Sequence, residues 1–348
     1  MGPEAPSYVV FEAGPTHASL DEAQELVRSA ANAHADAVKF QMIDPDRLIS
    51  DPQQLFAYSV LRNPDSEELE EVEESIHAIL KRRTLQPEEW RTLREFSQSL
   101  GLAFFLTVGF VDEVDFAAQL AVDSIKIASA DINHLPLIRH AARTQIPIQI
   151  DTGSASLDEV SEAALAVASE GNSRLVVHHC PSGYPARLDA LNLRIVTSLT
   201  RLFRCPIGFS DHSPGVGFDI AAIALGANLV EKTITLDRSI RSPEHAMSVS
   251  TSDAAAFVRT IRELDTALGQ PHRALTFDEQ QQRNLNRRSA FLTENAIAGM
   301  QLSSSSVEFR RPGLGLSPTE FEALGSATFR RDIDMGEAIR FGDLDLPS

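Results

Sequence analysis

The 348-residue sequence has only two cysteines, Cys180 and Cys205, too few for a disulfide framework. Basic residues are also scarce, since 31 Lys and Arg stand against 49 Asp and Glu, which gives a formal net charge of -18. Such a surface repels nucleic acids and anionic membranes, so neither is an expected partner. No apolar run approaches the roughly 18 to 20 residues of a membrane span, and the first residues lack the pattern of a signal peptide. These absences predict a reduced, cytoplasmic protein.

Apolar residues make up 43% of the chain and charged residues 23%, the balance of a globular protein with a sizeable core. Runs rich in β-branched and aromatic residues predict eight strands. They lie at residues 8–14, 37–42, 102–108, 124–129, 147–153, 174–180, 206–212 and 229–235. Helical periodicity follows most strands, and two helices are predicted to begin at capping boxes, Ser19 with Glu22 and Ser156 with Glu159. Largely apolar strands alternating with helices predict a (β/α)8 TIM barrel, with a doubly wound sheet as the alternative.

The periodic pattern changes after the eighth strand and predicts a second domain. The predicted divisions are a barrel domain at 1–272, a linker at 273–287 and a small domain at 288–348. The polar stretch from Thr276 to Arg288 is typical of an exposed linker. A weak internal repeat, Gly299–Leu302 against Gly336–Ile339, predicts two turn-and-strand units in the small domain. So small a domain buries little core alone and is expected to lean on the barrel or on a partner chain.

The connection between the second and third predicted strands is unusually long and contains an acidic run from Ser66 to Glu74. Its composition favours a solvated helix face, and an interaction tail is the alternative.

Two lysines lie inside predicted strands, Lys39 in the second and Lys126 in the fourth. A buried ammonium group is costly unless it meets an anion. If both lysines face the barrel mouth, where such barrels carry their active sites, they form a cationic floor for a phosphate or carboxylate. The alternative is that each lysine pairs with a carboxylate of a neighbouring strand, such as Glu12 or Glu231. The hydroxyl groups that would complete an anion site are those of Ser129, Thr152, Ser182 and Ser210.

Histidines supply the candidates for acid/base chemistry or metal binding. His212 is the strongest, because it ends a predicted strand directly after Asp211, whose carboxylate would orient an imidazole. His178 and His179 alternate faces along their strand, so only one of them can face the site.

Several motifs, in order along nearly the whole chain, resemble the sialic acid synthase family, which includes the N-acetylneuraminate, legionaminate and pseudaminate synthases and related spore-coat polysaccharide proteins. These motifs are Phe11-Glu12-Ala13-Gly14 with His17, Ala35 to Gln41, Lys126-Ile127-Ala128-Ser129, Asp151-Thr152-Gly153, His179 to Pro185, Gly208 to His212 and Glu231-Lys232. Many ordered matches are more specific than any single motif.

The resemblance implies a TIM barrel followed by an antifreeze-like (SAF) domain, whose signature matches Arg310-Arg311-Pro312-Gly313. It implies a transferase of the EC 2.5.1 type that condenses phosphoenolpyruvate with an N-acylated amino-sugar aldehyde, giving a nonulosonic acid and phosphate. It also implies a divalent metal, Mn or Mg, and a domain-exchanged homodimer. Two alternatives stay open: a sugar-acid aldolase or lyase that uses Lys39 or Lys126 as a Schiff base, and a sugar-binding pseudoenzyme.

Roles are carried over from the family by motif. Glu12 would be the catalytic acid or base, and His212 would ligate the metal. The residues that would hold phosphoenolpyruvate are Lys39, Lys126, Ser129, Ser182 and Ser210, with Thr152 as a further hydroxyl donor. The residues that would contact the sugar are Gln41, Asp131, Tyr184, Glu244 and Arg311, the last reaching into the barrel of the partner subunit.

Two positions depart from the family pattern. Thr233 stands where the family has a histidine that serves as the second metal ligand, and a hydroxyl is a poor replacement for an imidazole on a transition metal. Asp151 stands where the family has a serine, and it adds a negative charge beside the proposed anion site. Asp151 would either repel phosphoenolpyruvate or replace the missing metal ligand.

Overall fold

The computed structural model of the protein describes residues 5–63, 67–270 and 272–347. The chain divides into two compact units, one ending at Gly269 and the other beginning at Gln270. The first residues of the chain, where a signal peptide was not expected, and Ser66 of the acidic run lie outside the described residues. Within the described ranges, no helix is long and apolar enough to span a bilayer.

The first unit is built on a closed parallel barrel. Its strands are β1 (Tyr8–Glu12), β2 (Ala37–Gln41), β3 (Leu55–Leu61), β4 (Leu69–Ser75), β5 (Ala103–Thr107), β6 (Ser124–Ile127), β7 (Ile148–Asp151), β8 (Leu175–His179), β9 (Ile207–Asp211), β10 (Leu229–Thr235) and β11 (Val249–Ser250). Strands β1, β2 and β5 to β10 pair in that order, and β10 pairs back with β1 to close the barrel. The prediction of an eight-stranded barrel, with all eight strand positions, is confirmed.

Helices surround the barrel. They are α1 (Leu20–Asn32), α2 (Pro45–Leu48), α3 (Ile76–Lys81), α4 (Pro87–Ser99), α5 (Val111–Gln119), α6 (Leu135–Arg143), α7 (Leu157–Ser169), α8 (Arg194–Leu202), α9 (Gly217–Ala224) and α10 (Ala254–Leu268). Ser156 and Glu159 form the predicted capping box of α7. At α1 the box is incomplete, because Ser19 accepts from the amide of Glu22 while the Glu22 carboxylate accepts from the amide of Ala18 instead.

The main hydrophobic core lies between the barrel wall and these helices. Inside the barrel, a smaller apolar cluster of Val10, Ala37, Phe105 and Leu229 fills the amino-terminal end of the strands. Because side chains alternate along a strand, the inward positions two or more residues further on lie at the carboxyl end, and these are polar. Sequence alternation therefore separates an apolar floor from a charged layer above it.

The acidic run forms a strand, so the prediction of a helix is wrong. Strand β4 pairs antiparallel with β3, and Leu69 aligns with Leu61. Alternation explains the pairing: Glu71 and Glu73 are exposed, whereas Val72 on the opposite face packs against a small core with Tyr58. Pairing with an apolar strand therefore overrides the helical propensity of the glutamates.

The second unit contains α11 (Phe277–Asn286), β12 (Ser289–Leu292), β13 (Val307–Arg310), α12 (Pro318–Ala323), β14 (Thr328–Phe329) and β15 (Leu344–Asp345). The predicted repeat is visible in it. Gly299 and Gly336 both adopt positive φ, at 84° and 91°, and each is followed three residues later by a fully buried residue, Leu302 or Ile339. The turns lead into β13 and β15, as the repeat predicts. Each strand pairs antiparallel, with β12 and β14 respectively.

The predicted linker is exposed but not irregular, because α11 occupies most of it. Thr276 accepts from the amide of Glu279, and the Glu279 carboxylate accepts from the amide of Thr276, which together form a capping box. The helix lacks an apolar stripe, which is why periodicity did not indicate it.

Candidate active site

A cavity of about 400 Å³ opens at the carboxyl ends of the barrel strands. Eight of the residues proposed for the site line it. They are Glu12, Lys39, Gln41, Ser129, Asp131, Tyr184, His212 and Glu244. Asp151 and Glu231 also line the cavity, while Lys126 and Ser210 lie directly behind them, with exposed fractions of 0% and 1%.

Both strand lysines converge on one carboxylate. Lys39 Nζ lies 2.5 Å from Glu231 Oε1, and Lys126 Nζ lies 3.0 Å from Glu231 Oε2. Lys39 also contacts Glu12 Oε2 at 2.7 Å, and Lys126 contacts Asp151 Oδ1 at 2.9 Å. Strand register sets up these contacts, since Glu12 aligns with Lys39 on the neighbouring strand. We call these five residues the inner charge cluster.

The expectation of a cationic floor is therefore wrong in its sign. Three carboxylates surround two ammonium groups, so the cluster carries an excess of negative charge when all of its members are ionised. The alternative interpretation of the sequence, in which the lysines pair with Glu12 and Glu231, describes the observed contacts. The lysines still meet at the barrel mouth, beside an open cavity.

Burial and mutual attraction shift the pKa values in the inner charge cluster. Although burial favours the neutral amine, the carboxylates of Glu12 and Glu231 raise the pKa of Lys39 well above its ordinary value. Burial likewise opposes ionisation of Glu231, but Lys126 and Lys39 hold its pKa far below the usual range. Burial raises the pKa of Glu12, and the Glu231 charge adds to it against the opposing effect of Lys39. Glu12 is thus the group most ready to carry a proton at neutral pH.

Ser210 and His178 extend this network. Lys126 Nζ donates to Ser210 Oγ at 3.1 Å, and Ser210 Oγ lies 3.0 Å from His178 Nδ1. His178 Nε2 contacts Gln149 Oε1 at 2.8 Å. Burial, together with the charge of Lys126, lowers the pKa of His178 to about 3, so this imidazole is neutral. A Cβ at position 208 would come within 2.5 Å of the His178 ring, which explains the glycine there.

The structure places two of the proposed hydroxyl donors outside the cavity lining. Thr152 Oγ1 accepts from the backbone amide of Cys180 at 3.4 Å. Ser182 Oγ bonds to Ser154 Oγ at 3.1 Å on the exposed side of its loop. Both therefore support neighbouring loops in this conformation. Arg311 is an exposed residue of the second unit.

The NeuB family profile matches residues 26–273 of the chain. The chain belongs to the NeuB family. It is similar to the N,N'-diacetyllegionaminic acid synthase of Legionella pneumophila, with 33% identity over 338 residues that cover 95% of this chain and 93% of that protein. It is also similar to the spore coat polysaccharide biosynthesis protein SpsE of Bacillus subtilis, with 31% identity covering 99% and 95% of the two chains.

Solved structures agree with this membership of the NeuB family. The N-acetylneuraminic acid (sialic acid) synthetase of Leptospira borgpetersenii serovar Hardjo-bovis, in complex with citrate, matches with a TM-score of 0.70 and 26% identity. The match covers 80% of this chain and 90% of that one. The resemblance to sialic acid synthases seen in the sequence is confirmed.

His212 is held at the rim of the cavity. Its ring lies 4.7 Å from the Tyr184 ring, and its Nδ1 donates to the carbonyl oxygen of Pro181 at 3.2 Å. Thr233 Oγ1 donates to Glu244 Oε2 at 3.3 Å. Among the described residues of this NeuB family chain, no three His, Cys, Asp or Glu side chains are grouped to hold a metal. The donors present among these residues do not form a complete metal site.

Reasoning from the sequence missed one wall of the site. Hydrophobic side chains of β3, α3 and the loops after β2 and β5 form it, with Arg83 at its edge. The apolar members are Met42, Ile43, Leu48, Phe56, Ile76, Ile79, Leu80, Val108 and Phe110. Several come from the long connection between β2 and β5, whose acidic run was predicted to be a solvated helix face. Once that connection is recognised as a hairpin, Phe56 is brought to 6.5 Å from the Tyr184 ring.

Proposed function

We propose that the protein condenses phosphoenolpyruvate with the open-chain aldehyde of an N-acylated amino sugar, giving a nonulosonic acid and phosphate. The observation that carries the proposal is the placement of Lys39, Glu12 and Gln41 in a single cavity, with Lys126 directly behind its wall, within a chain similar throughout to synthases of such acids. In the reaction, C3 of phosphoenolpyruvate forms a bond to the aldehyde carbon, water adds at C2, and phosphate leaves.

The inner charge cluster binds phosphoenolpyruvate in this proposal. Lys126 and Lys39 are the cations nearest the strand ends, and Ser129 lies in the lining beside them. The cluster has more carboxylates than ammonium groups. An anionic substrate therefore binds favourably only if one of these carboxylates is neutralised. Burial is the main effect that raises the pKa of Glu12, so Glu12 is the carboxyl group that takes up the neutralising proton. Phosphoenolpyruvate binding is therefore expected to take up a proton.

Glu12 then serves as the acid or base of the condensation. Its carboxylate accepts from the Gln41 amide at 3.2 Å and from the Gly14 amide at 2.7 Å, which fix its orientation. A protonated Glu12 beside the aldehyde oxygen would donate to the developing alkoxide. Gln41, Asp131, Tyr184 and Glu244 surround the remaining space, where the sugar is proposed to bind.

The small second unit is proposed to be the antifreeze-like domain of this enzyme, which supplies Arg311 to the sugar site of a partner subunit in a domain-exchanged homodimer. The internal repeat supports a compact domain of this kind, because each of its turns is followed by a buried residue of one small core. Arg311→Ala is expected to raise the KM for the sugar more than the KM for phosphoenolpyruvate, because the guanidinium would contact the acyl group alone. Equal KM values for the variant and the wild type would contradict the exchange.

No observation favours the alternatives. A Schiff-base lyase needs a neutral amine, whereas the carboxylates around Lys39 hold its pKa high despite burial. Thr233 and Asp151 are the two departures that would favour a pseudoenzyme, but Asp151 contacts Lys126 at 2.9 Å within the inner charge cluster.

The test is phosphate release across a panel of acylated hexosamines and their 6-phosphates, with phosphoenolpyruvate, with and without manganese. Release that depends on both substrates, with a nine-carbon keto acid as product, supports the synthase. Absence of sugar-dependent phosphate release throughout the panel would overturn the proposal.

A further inference from the structure

Arg83 is a buried guanidinium that forms an ion pair with no carboxylate among the described residues. It follows α3, where its amide donates to the carbonyl of Leu80 at 3.0 Å, and its side chain lines the cavity with only 7% of the residue exposed. Within the described part of the chain, the guanidinium group makes one hydrogen bond, from Nη2 to the carbonyl oxygen of Pro243, and this bond is long at 3.5 Å. An arginine has five N–H donors, so most of its capacity is unused.

The adjacent residue, Arg82, provides a comparison with Arg83 within the same chain. Arg82 points outward, with 42% of its side chain exposed, and its two terminal nitrogens contact the Glu74 carboxylate at 2.5 and 3.0 Å. Lys39, the other cation in the cavity lining, contacts Glu12 and Glu231. Of the two Lys and Arg side chains that the structure places in this lining, Lys39 and Arg83, only Arg83 has no carboxylate within ion-pair distance among the described residues.

Leaving a guanidinium buried and unpaired costs several kcal/mol, so such a group is seldom kept for stability. Burial lowers the pKa of Arg83, and the Glu244 charge opposes that shift without forming an ion pair. The group stays charged at neutral pH, because arginine titrates far above it. The planar donors match a phosphate or carboxylate in a bidentate contact, which would satisfy both the charge and the unused N–H groups.

We propose that Arg83 is an oxyanion-binding residue of this cavity, which takes a phosphate or carboxylate group of a substrate. The identity of that substrate rests on the proposed function. Two sources supply the same chemistry: phosphoenolpyruvate itself, or a phosphate on the amino sugar. Arg83 lies with Tyr184, His212 and Glu244 in the lining, and it also faces a cluster whose lysines are already paired.

The test is calorimetric titration of the wild type, Arg83→Met and Arg82→Met with four probes: inorganic phosphate, phosphoenolpyruvate, N-acetylmannosamine and N-acetylmannosamine 6-phosphate. Arg83→Met is expected to weaken binding of at least one phosphate-bearing probe by about tenfold or more, while the neutral sugar changes by less than about threefold. Arg82→Met is expected to bind all four within about threefold of the wild type, because its ion pair is exposed.

The probe that is affected identifies the source. Loss for phosphoenolpyruvate places the guanidinium on that substrate, and loss for the sugar phosphate alone shows that the enzyme uses a phosphorylated amino sugar. Binding of every anion by Arg83→Met within threefold of the wild type would overturn the inference, as would a wild type that binds none of them. Should Arg83→Met fail to fold, Arg83→Lys keeps the charge without the planar fork and is expected to show a smaller loss for the same probe.

The condensation assay separates this inference from the proposed function. A protein that binds phosphate through Arg83 but never releases phosphate from phosphoenolpyruvate would refute the proposed function alone. A working synthase in which Arg83→Met leaves all affinities unchanged would refute the inference alone.

Discussion

Two groups of buried lysine and carboxylate lie on opposite sides of the barrel wall. The inner charge cluster ends in Glu231, and the next residue, Lys232, points outward toward α9. Lys232 contacts Asp211 and, at 3.3 Å, Asp219, and it donates to the carbonyl of Ser213 at 2.5 Å. We call Lys232, Asp211 and Asp219 the outer charge cluster. Each of its members is at most 2% exposed, and none lines the active-site cavity.

The comparison shows that burial and ion pairing do not by themselves distinguish a site from a scaffold. In the outer charge cluster, burial raises the pKa of Asp219 well above its ordinary value, which favours a proton on that carboxyl group. The inner charge cluster likewise has one carboxylate more than it has ammonium groups, and burial raises the pKa of its Glu12, but this cluster borders a cavity. Access for a ligand is therefore what distinguishes the inner cluster as the candidate site.

The largest effect is expected at Lys126. Lys126→Met should lower kcat/KM by at least about a thousandfold, or about 4 kcal/mol, because it removes the cation that pairs with Asp151 and Glu231 and leaves those carboxylates to repel an anionic substrate. Steady-state phosphate release measures the loss. Circular dichroism and calorimetry with phosphoenolpyruvate should show a folded protein that no longer binds, and retained affinity would contradict the site.

Lys232→Met tests the outer charge cluster in the same way. It should lower the free energy of unfolding by about 3 kcal/mol, since Asp211 would be left buried without its cation. Urea titration measures this change. Phosphoenolpyruvate affinity of the folded variant should stay within about threefold of the wild type, because the outer cluster does not touch the cavity. A tenfold loss of phosphoenolpyruvate affinity with an unchanged free energy of unfolding would contradict the difference proposed between the two clusters.

Most of the fold, but less of the site, could be predicted from the sequence. The barrel strands carry their own signal, because each is a short apolar run and each inward residue follows from alternation. The net charge of the groups around Lys39 and Lys126 could not be predicted, since it depends on which strands become neighbours when the barrel closes. Arg83 gave no signal at all, because it lies after α3 in the long connection that also carries the β3–β4 hairpin, whose glutamates favour a helix when read alone.

Acid should separate Glu231 of the inner charge cluster from Asp219 of the outer charge cluster by the sign of its effect. Despite burial, Lys126 and Lys39 hold the pKa of Glu231 below its unfolded value of about 4.3. The folded state then binds fewer protons than the unfolded chain, so stability falls as pH drops below about 5, by up to about 1.4 kcal/mol per pH unit. Asp219, with its raised pKa, contributes in the opposite direction.

Urea midpoints at pH 5, 4 and 3 measure this difference. Glu231→Gln is expected to flatten the decline, whereas Asp219→Asn leaves it unchanged or steeper, because it removes the group that binds its proton in the folded state. Identical pH profiles for the wild type and Glu231→Gln would show that the acid sensitivity arises elsewhere.

The smallest expected effect concerns the metal. Thr233 faces the barrel interior two residues after Glu231, aligned with Glu12, and its hydroxyl contacts Glu244. Thr233→His would add an imidazole beside that carboxylate, in the cavity that His212 also lines, and should raise manganese affinity by about tenfold as measured by electron paramagnetic resonance of the free ion. Thr233→Val is the matched control, because it removes the hydroxyl without adding a donor. Equal manganese binding by the wild type, Thr233→His and Thr233→Val would mean that Glu244 and His212 do not bind one ion together. Negative charge in this cavity would then be neutralised by protons and by the guanidinium group rather than by a metal.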